Sequence, residues 1–596
     1  MKGISQAKFS NKEIAHVLRS ISAAYLLKND LRFKVLAYER AAEIVEKMSR
    51  EVKDIWQEGR LQDIPGIGPG IASHLDEYFR QGYSKHFETA FKGIPLSVFE
   101  LMKIPFIGPK KAFRLVTALK LSRAESVITD LKKAAKGGKI APLEGFGKKS
   151  EEDILEAINL YLTKFGKTER MPLPYAFSVA RRILEYLTMS KRIKRIDALG
   201  SLRRMVSTIG DIDIAVMVKK EDADETVKYF VSYPKKIAID NSGDKKASII
   251  VHPSIRIDLR VQEEKTYGSM LQYFTGSKEH NIKLREFGLK KGYSLSEYGI
   301  KELKTGKLHT FPNEKSFYSF LGLQLIPPEI REGTNEIELA GKNKIPTLVE
   351  EKDIKGDLHI HSSFDIEPSH DLGIHSFKEI IEKAREFRYE YVGFADHNPS
   401  IGNHTEEKII EIMKKRKMAI DSSLHEIEKP PRYFIGIEAD ILPDGRLALP
   451  GKSFEYVDFV IASIHSSFRM SAAEMTKRVI RGLAHPKVKI FGHPTGRMFG
   501  KREGYELEWK PIFELCQKNH IALEINAWPD RLDLVDTLVR EATLHKVFCV
   551  INTDSHARDQ MENMHYGVSV ARRGWAAKHD IMNTRPLNEF KKWLDS

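Results

Sequence analysis

The chain has 596 residues, of which 41% are hydrophobic and 30% are charged, and its formal net charge is +14. This length exceeds what one hydrophobic core can organise, so we expect three to five domains. The basic excess favours a polyanionic partner, with nucleic acid first. Having only two cysteines, Cys516 and Cys549, excludes a disulfide scaffold and a thiolate zinc finger.

The sequence also disfavours membrane attachment. Residues 1–6 lack the apolar core of a signal peptide, and no apolar run approaches the ~20 residues that span a bilayer. Two cysteines without a Cys-x-x-Cys motif fit a reducing compartment. We therefore expect a soluble, cytoplasmic, monomeric protein with no membrane partner.

The first third of the chain combines amphipathic helices with a glycine-rich turn. The spacing of apolar residues predicts helices over 11–28 and 32–48. The segment 64–72 then opens a helix with three glycines, Gly66, Gly68 and Gly70. Glycines there let the backbone come close to a phosphate, and the amides lie at the positive end of the helix. The segment looks like a helix-hairpin-helix, which binds DNA backbone independently of base sequence.

Two further turns repeat this pattern. The segment 104–112 carries Gly108 and Lys110, with Phe106 where the first glycine is usual, so this copy is imperfect. A weaker candidate spans 145–149. Each turn alone is equally typical of an ordinary helix connection. Repetition inside a basic chain favours DNA-backbone binding.

Two aspartates follow a Gly-Ser turn in the middle of the chain. Residues 200–204 read Gly-Ser-Leu-Arg-Arg and 210–213 read Gly-Asp-Ile-Asp. Because side chains alternate along a strand, Asp211 and Asp213 project from one face. Asp258 lies on the polar face of a second alternating strand, so pairing would gather three carboxylates around two hard cations. The Gly-Asp-x-Asp alone is more often a turn before a solvated strand, and the Gly-Ser-x-x-Arg upstream with Asp258 downstream favours the metal site.

Together these residues resemble the nucleotidyltransferase palm of family X DNA polymerases. The resemblance implies that Asp211 and Asp213 bind two Mg²⁺ or Mn²⁺ ions. Asp258 would bind the catalytic ion and help to deprotonate the primer 3′-hydroxyl. The triphosphate of a dNTP would be contacted by three residues, Ser201, Arg204 and Gly210.

The segment 273–281 resembles the family's sugar-recognition segment, although as a bare sequence it also reads as a turn before a helix. Residues 273–277 read Tyr-Phe-Thr-Gly-Ser, as in the family. The resemblance implies that Tyr273, Phe274 and Gly276 contact the nucleotide sugar, that Asn281 touches the base edge and that Arg285 reaches the template. Residues 292–298 resemble the family's thumb. This part separates a template-directed polymerase from an RNA-tailing nucleotidyltransferase.

The same resemblance makes the N-terminal residues a 5′-phosphate-binding domain. Lys34, Tyr38 and Arg40 match its basic pocket. His74 stands where the family has the lysine that forms a Schiff base, and imidazole cannot form that imine. We expect 5′-phosphate binding to be kept and this lyase activity to be weak or absent.

After a boundary at about 327–355, short apolar runs end in metal-binding residue types. Six such ends occur, at 357–361, 394–397, 436–440, 461–465, 490–493 and 552–556. Active sites of α/β barrels collect at the carboxyl ends of strands, and mixed histidine and carboxylate ligands suit Mn²⁺, Zn²⁺ or Fe²⁺. One such histidine is more often structural, whereas six ends in one register favour a metal centre.

This set resembles the PHP superfamily, a distorted (β/α)₇ barrel that holds up to three ions. The implied ligands are His359, His361, His397, Glu438, His465, His493, Asp554 and His556. The family's early aspartate is Asp371 or, as second choice, Asp365. The resemblance implies a metal-dependent 3′→5′ exonuclease, and related members act as 3′-end phosphatases or abasic-site nucleases.

We therefore predict a multidomain α/β protein that fills short gaps in primer-template DNA. The expected domains are a helical 5′-phosphate-binding domain (1–87), helical fingers (88–169), an α+β palm (170–262), a thumb (263–335), a linker (336–353) and the PHP barrel (354–596). The competing hypotheses are a small-molecule phosphatase, a non-catalytic DNA scaffold and an RNA-tailing enzyme.

Overall fold

A computed structural model describes residues 11–47, 52–57, 59–64, 66–104, 107–124, 126–165, 170–252, 255–368, 370–425 and 427–596. The chain forms two compact units, 1–169 and 170–596, which we call the N-terminal and C-terminal units. The division falls at the predicted start of the palm. No helix in the described part of the chain is long and apolar enough to cross a membrane.

The described part of the N-terminal unit is helical. Its helices are α1 (Asn11–Leu27), α2 (Arg32–Lys47), α3 (Val52–Gln57), α4 (Pro69–Gln81), α5 (Lys85–Phe91), α6 (Leu96–Leu101), α7 (Pro109–Ala118), α8 (Val127–Lys136) and α9 (Lys148–Phe165). Gly68 and Gly108 are the N-caps of α4 and α7, and each is followed by a proline at the first helical position. Gly66 has φ +79°, and a Cβ there would lie 2.2 Å from Ile44 Cδ1, so only glycine fits. Phe106 lies outside the described residues.

The palm is a five-stranded sheet in the order β2-β4-β7-β6-β5. Its β4 and β7 are parallel, whereas the other neighbours are antiparallel. The elements are β1 (Met171–Pro172), α10 (Leu173–Thr188), β2 (Arg195–Ala198), α11 (Gly200–Arg203), β3 (Thr208–Ile209), β4 (Ile212–Met217), α12 (Ala223–Val231), β5 (Ala238–Ser242), β6 (Lys246–His252) and β7 (Ile255–Gln262).

The thumb is joined to the palm by buried ion pairs. Arg331 is fully buried and contacts Glu314 at 2.6 Å, and Glu314 also contacts Arg203 at 2.6 Å. The elements are α13 (Glu264–Thr275), α14 (Lys278–Lys290), β8 (Tyr293–Ser296), β9 (Gly299–Glu302), β10 (Leu308–His309), α15 (Glu314–Phe320) and α16 (Glu336–Gly341).

The stretch 336–353 does not form the free linker that its charge suggested. It forms α16, and Ile337, Ala340 and Ile345 are buried in the thumb core. Glu338, Lys342 and Lys344 are exposed between these apolar positions, so composition alone did not reveal that the segment packs.

The last segment forms a nearly closed barrel of seven parallel strands in chain order. They are β11 (Gly356–Ile360), β12 (Tyr391–Phe394), β13 (Arg432–Asp440), β14 (Phe459–Ser463), β15 (Val488–Phe491), β16 (Ala522–Asn526) and β17 (Cys549–Asn552). A parallel bridge between Ile360 and Ser555 brings the first and last strands together. Sequence analysis located six of these strand ends and missed β16.

Helices surround the barrel and join it to the palm. They are α17 (Phe377–Glu386), α18 (Glu406–His425), α19 (Ala472–Leu483), α20 (Trp509–Lys518), α21 (Asp536–Leu544), α22 (Met564–Arg573) and α23 (Leu587–Leu594). Phe177 of α10 packs edge-on against Tyr566 of α22. The palm and barrel therefore share one continuous apolar core.

Candidate active sites

The palm aspartates meet because of strand register. In the parallel pair β4 and β7, Asp213 lies directly opposite Asp258, and Asp211 immediately precedes β4. Ile212 and Ile214 point into the core on the other face. The alternation predicted from sequence is therefore present, and it gathers three carboxylates on one face of the sheet.

Asp213 is crowded by the two other carboxylates. Burial, followed by the charges of Asp211 and Asp258, raises the pKa of Asp213 to about 6. Asp258 accepts a hydrogen bond from Arg256 Nε at 2.8 Å. Gly200 has φ +57°, and a Cβ there would lie 2.8 Å from Asp213 Oδ2, so the Gly-Ser turn makes room for the carboxylate. This arrangement fits divalent cations.

Arg204 follows α11 and is largely enclosed by the thumb. Its Nη1 donates to the Thr275 carbonyl at 2.6 Å and its Nε donates to Glu332 at 3.2 Å. Ser201 is on α11 and is partly exposed. Gly210 lies beside Arg170: a Cβ on Gly210 would be 3.5 Å from Arg170 Nη1.

The sugar-recognition segment forms the end of α13 and the start of α14. The Phe274 ring packs under Arg260, whose guanidinium carbon lies 3.6 Å from the centre of that ring. Tyr273 lies edge-on to Phe274. Gly276 ends α13 with φ +69°. The Asn281 amide accepts from Gln272 and donates to the Tyr273 carbonyl, while Arg285 is exposed on α14. Asn281 is thus held by its own domain in this structure.

Glu438 lies at the centre of the barrel residues. Its carboxylate is 2.8 Å from His493 Nε2, 2.9 Å from His397 Nδ1 and 3.3 Å from His359 Nε2. His465 Nε2 lies 3.4 Å away. Burial opposes protonation of His397, but Glu438 and Asp371 outweigh it and raise the pKa to about 10.

Asp554 organises the other side of the barrel centre. His361 Nε2 is 3.1 Å from its Oδ1, and the His556 ring stacks on His361 at 4.0 Å. Burial and the neighbouring His556 lower the pKa of His361 to about 3, which leaves a neutral imidazole able to bind a metal. Asp371 lies 3.6 Å from both His397 and His556.

Asp365, the second choice for the early ligand, lies apart from this cluster. It is exposed and accepts a hydrogen bond from the Glu367 amide. The structure thus brings Asp371, and not Asp365, to the predicted ligands.

Three further residues join the cluster that sequence analysis did not select. His370 Nε2 is 3.0 Å from Asp440, and Asp440 also accepts from His465 Nδ1 at 2.6 Å. His359 Nδ1 is 2.7 Å from Glu524, which lies on the missed strand β16. Carboxylates of this kind orient histidine ligands. Asp440 was visible as the end of β13, and His370 directly precedes Asp371.

Several buried polar atoms of the barrel cluster form no hydrogen bond of good geometry to a described residue, although some of them lie within 3.3 Å of one another. They are His359 Nε2, His361 Nδ1, His397 Nδ1, His493 Nδ1, His556 Nε2 and Glu438 Oε2. Buried polar atoms are normally paired, so this set requires an external partner. Four groups of three residues have ligand atoms within 4.8 Å of one another, including Glu438 with His465 and His493. The residues therefore fit a multi-metal centre.

A cationic cluster that sequence analysis missed lies beside Asp554. Arg531 Nε is 3.7 Å from Asp554 Oδ2, and Arg531 Nη1 is buried without a partner in the described chain. The Tyr505 hydroxyl is likewise buried and has no hydrogen-bond partner among the described residues, and burial raises its pKa. Burial and the neighbouring Arg531 lower the pKa of Arg502 to about 10. Neighbouring guanidiniums with an unused donor suit a phosphate.

In the N-terminal unit, Tyr38 and His74 lie in one pocket. The Tyr38 hydroxyl is 2.8 Å from His74 Nδ1, and the His74 ring stacks on His86 at 3.7 Å. The Tyr25 hydroxyl is 2.6 Å from His86 Nε2, and Lys34 Nζ lies 5.3 Å from the Tyr25 ring centre. Burial and then His86 lower the pKa of His74. Sequence analysis missed His86.

The other predicted DNA-binding positions lie on the surface. A Cβ at Gly68, Gly70 or Gly108 would meet nothing within 4 Å, which leaves the amides of both turns open to a ligand. Lys110 is exposed on α7. Arg40 is exposed on α2, two residues after Tyr38, and this spacing places it on a different face from the pocket.

We predict that Asp213→Asn stabilises the metal-free protein at high pH. A carboxyl whose pKa rises from 3.8 to about 6 costs the folded state about 3 kcal/mol above pH 6, and the cost vanishes below pH 4. In EDTA, calorimetry should show a higher unfolding temperature for the variant at pH 8 and a smaller gain at pH 5. Mg²⁺ should raise the wild-type temperature more than that of the variant.

Asp224→Asn is the control, because Asp224 is an exposed carboxylate paired with Lys228. It should show no gain. A gain in both variants, or a loss in Asp213→Asn at pH 8, would contradict the proposed crowding of charge.

We also predict that borohydride does not trap the wild-type protein efficiently on an abasic 5′-phosphate. His74 offers no primary amine, and Lys34 Nζ, which lies over the Tyr25 ring of this pocket, pairs with Asp30. The measurement is the yield of covalent adduct on an incised abasic duplex, with His74→Lys as the gain-of-function comparison. Efficient trapping of wild type that Lys34→Ala abolishes would overturn the expectation.

Four family models match the chain. They are a helix-hairpin-helix domain at 9–84, a SAM-like helix-hairpin-helix tandem at 98–159, a DNA polymerase beta thumb at 270–332 and a PHP domain at 357–527. The tandem spans both the second and the third glycine turn. These matches confirm the predicted fold classes of the N-terminal region, the thumb and the barrel.

The chain is also similar to curated proteins. It is 28% identical to the probable phosphatase TTE1963 of Caldanaerobacter subterraneus over 159 residues, 26% of this chain and 57% of that protein. It is 34% identical to the probable phosphatase YcdX of Escherichia coli O81 over 94 residues, 15% of this chain and 36% of that protein. The DNA polymerase/3'-5' exonuclease PolX of Bacillus subtilis is 36% identical over 586 residues, 98% of this chain and 99% of that protein. With a relative of this identity along its whole length, the chain belongs to the family X DNA polymerases that carry a C-terminal PHP domain.

Proposed function

We propose that the chain is a DNA-directed DNA polymerase that fills short gaps in DNA repair and carries a metal-dependent 3′→5′ exonuclease in its barrel. The observation that supports the polymerase best is the register that sets Asp213 opposite Asp258. The Bacillus subtilis relative, which is named for both activities, supports their combination in one chain.

In the palm, Asp211, Asp213 and Asp258 would hold two Mg²⁺ or Mn²⁺ ions. Bound ions would lower the pKa of the primer 3′-hydroxyl and stabilise charge on the transferred phosphoryl group. Asp258 would receive the hydroxyl proton, and Arg204 would bind the dNTP triphosphate. The Phe274 ring, fixed under Arg260, would pack against the sugar.

In the barrel, the histidines with Glu438, Asp554 and Asp371 would hold up to three Mn²⁺, Zn²⁺ or Fe²⁺ ions. Bound ions would supply a hydroxide at neutral pH for attack on a phosphodiester. Arg531 and Tyr505 would bind the free phosphate oxygens beside that centre. His370 and Asp440 would complete or orient the ligand set.

The open turns at Gly68, Gly70 and Gly108 would bind DNA phosphates without reading bases, and the Tyr38 pocket would receive the 5′-phosphate of a gap. Binding should weaken steeply as salt rises. Both cysteines are unpaired and buried, which supports action as a cytoplasmic protein. We also propose that the protein acts as a monomer.

The alternative for the barrel is a phosphatase acting on 3′-terminal phosphates. The Arg531 cluster favours it as much as the exonuclease, because unpaired guanidinium donors also suit the two charges of a phosphomonoester. An assay with a 3′-phosphorylated primer distinguishes the phosphatase from the exonuclease.

Primer extension on gapped DNA tests this proposal. A 5′-labelled primer facing a one-nucleotide gap is incubated with Mn²⁺, with and without dNTPs, for wild type, Asp258→Ala and His465→Ala. Templated extension should be lost only in Asp258→Ala, and shortening without dNTPs only in His465→Ala. A 3′-phosphorylated primer reports phosphatase activity in parallel.

The outcomes separate the hypotheses. Extension with no shortening but loss of the 3′-phosphate would replace the exonuclease by a phosphatase. Extension that ignores the template base would favour a tailing enzyme. Failure of wild type to extend would contradict the polymerase.

We predict that Arg531→Ala lowers kcat/KM for 3′-end hydrolysis by about 100-fold, because one buried donor to the phosphate is lost. Extension should change less than about 2-fold, since the palm is untouched. Arg446→Ala is the control, because Arg446 is exposed on the same barrel and pairs with Asp444. Equal loss in both variants, or no loss in Arg531→Ala, would remove Arg531 from the site.

A further inference from the structure

Arg204, the proposed triphosphate-binding residue, is held by two groups outside its own helix. Its guanidinium donates to the Thr275 carbonyl at 2.6 Å and to Glu332 Oε1 at 3.2 Å. Its side chain is 13% exposed, so its direction is fixed by these partners. The position of Arg204 therefore depends on Glu332.

Glu332 is shared with an arginine of the barrel. Arg573, the last residue of α22, donates Nη1 to the same Glu332 oxygen at 2.8 Å, which is shorter than the contact from Arg204. The same Nη1 donates to the Arg204 carbonyl at 2.9 Å. Arg573 also pairs with Asp536 of α21 at 2.7 Å. One barrel residue thus contacts both the backbone of Arg204 and its acidic partner.

The sharing changes the charge that Arg204 presents. A carboxylate paired with Arg204 alone would neutralise it and compete with an incoming triphosphate. Because Arg573 holds Glu332 at the shorter distance, Arg204 keeps more of its positive charge. Burial lowers the pKa of the Arg204 guanidinium, with Glu332 opposing that shift and Arg573 adding to it, so a bound anion would stabilise its charge.

The helix that carries Arg573 is fixed to the metal-binding barrel. Gly567 of α22 has no room for a side chain, because a Cβ would lie 2.4 Å from Ile551 of β17 and 2.9 Å from Ala527, next to β16. Asp554 follows β17 by two residues. The barrel therefore supports Arg204 through a rigid helix.

We propose that Arg573 is a positioning residue for nucleotide binding in the palm, so that the barrel contributes to dNTP affinity independently of its own hydrolytic chemistry. The inference rests on the proposed role of Arg204. It assigns the barrel a part in polymerisation, through one side chain and one shared carboxylate.

Single-nucleotide incorporation on gapped DNA tests the inference through KM for dNTP and kcat. Arg573→Ala should raise KM about 10-fold or more and leave kcat within about 3-fold, and 3′-end hydrolysis should stay at the wild-type rate. Arg572→Ala is the matched control. Arg572 is the preceding residue of α22 and contacts Glu329 and the Val349 carbonyl at the same junction, without touching Arg204. Its KM should equal that of wild type.

A second substitution separates positioning from simple support of the fold. Without Arg573, Glu332 should pair with Arg204 alone and neutralise its charge. Adding Glu332→Gln to Arg573→Ala removes that carboxylate charge, so KM should return to within about 3-fold of wild type. If Arg573→Ala does not fold, Arg573→Lys replaces it. Lysine keeps a cation beside Glu332 but cannot also reach Asp536 and the carbonyls of Arg204 and Glu329, so KM should rise several-fold.

An unchanged KM in Arg573→Ala, an equal rise in Arg572→Ala or a failure of Glu332→Gln to restore KM would each overturn the inference. Arg204→Ala is measured beside them. If Arg204→Ala raises KM while Arg573→Ala does not, Arg204 still binds the nucleotide and only its dependence on Arg573 is contradicted. If wild type incorporates no dNTP, the proposed polymerase itself fails.

Discussion

Both centres depend on metal-ligand side chains that the fold crowds together, carboxylates in the palm and carboxylates with imidazoles in the barrel. In the palm, a parallel strand pair inside an otherwise antiparallel sheet puts Asp213 opposite Asp258. In the barrel, seven parallel strands direct their carboxyl ends to one place, where Glu438 contacts four histidines. Such groups are costly unless divalent ions bind, so their retention favours metal chemistry. The backbone also makes room for the palm carboxylates, because glycine at position 200 leaves free the space beside Asp213 Oδ2 that a side chain would fill.

Much of this could be predicted from sequence, where local pattern determines structure. The strict alternation of 255–261 indicated which residues face the metals, and the glycine turns indicated the starts of α4 and α7. Partners distant in sequence were harder to place. Strand alternation predicted that Asp258 could join Asp211 and Asp213, but the register that sets Asp213 directly opposite Asp258 depends on tertiary pairing. His86 belongs to α5, and no spacing relates it to the His74 ring it stacks on.

In the barrel, too, local sequence pattern revealed some site residues, and only the tertiary fold revealed the others. Histidines at strand ends were visible, whereas Glu524 was not, because it lies inside β16 in an apolar run and reaches the centre only through barrel geometry. The unpaired donor of Arg531 is also a tertiary property. In the C-terminal unit, palm, thumb and barrel are one packed body, joined by a continuous core and by Arg573. The N-terminal unit, with its phosphate-binding turns, is a separate compact body.

The most direct test of the account is the number of Mn²⁺ ions bound to the intact protein, measured by native mass spectrometry. Wild type, Asp258→Ala, His493→Ala and the double variant would be compared at equal free Mn²⁺. The account predicts that each single variant loses ions from one centre only and that the losses add in the double variant. An unchanged number in every variant, or loss of all ions on one substitution, would contradict two separate metal centres.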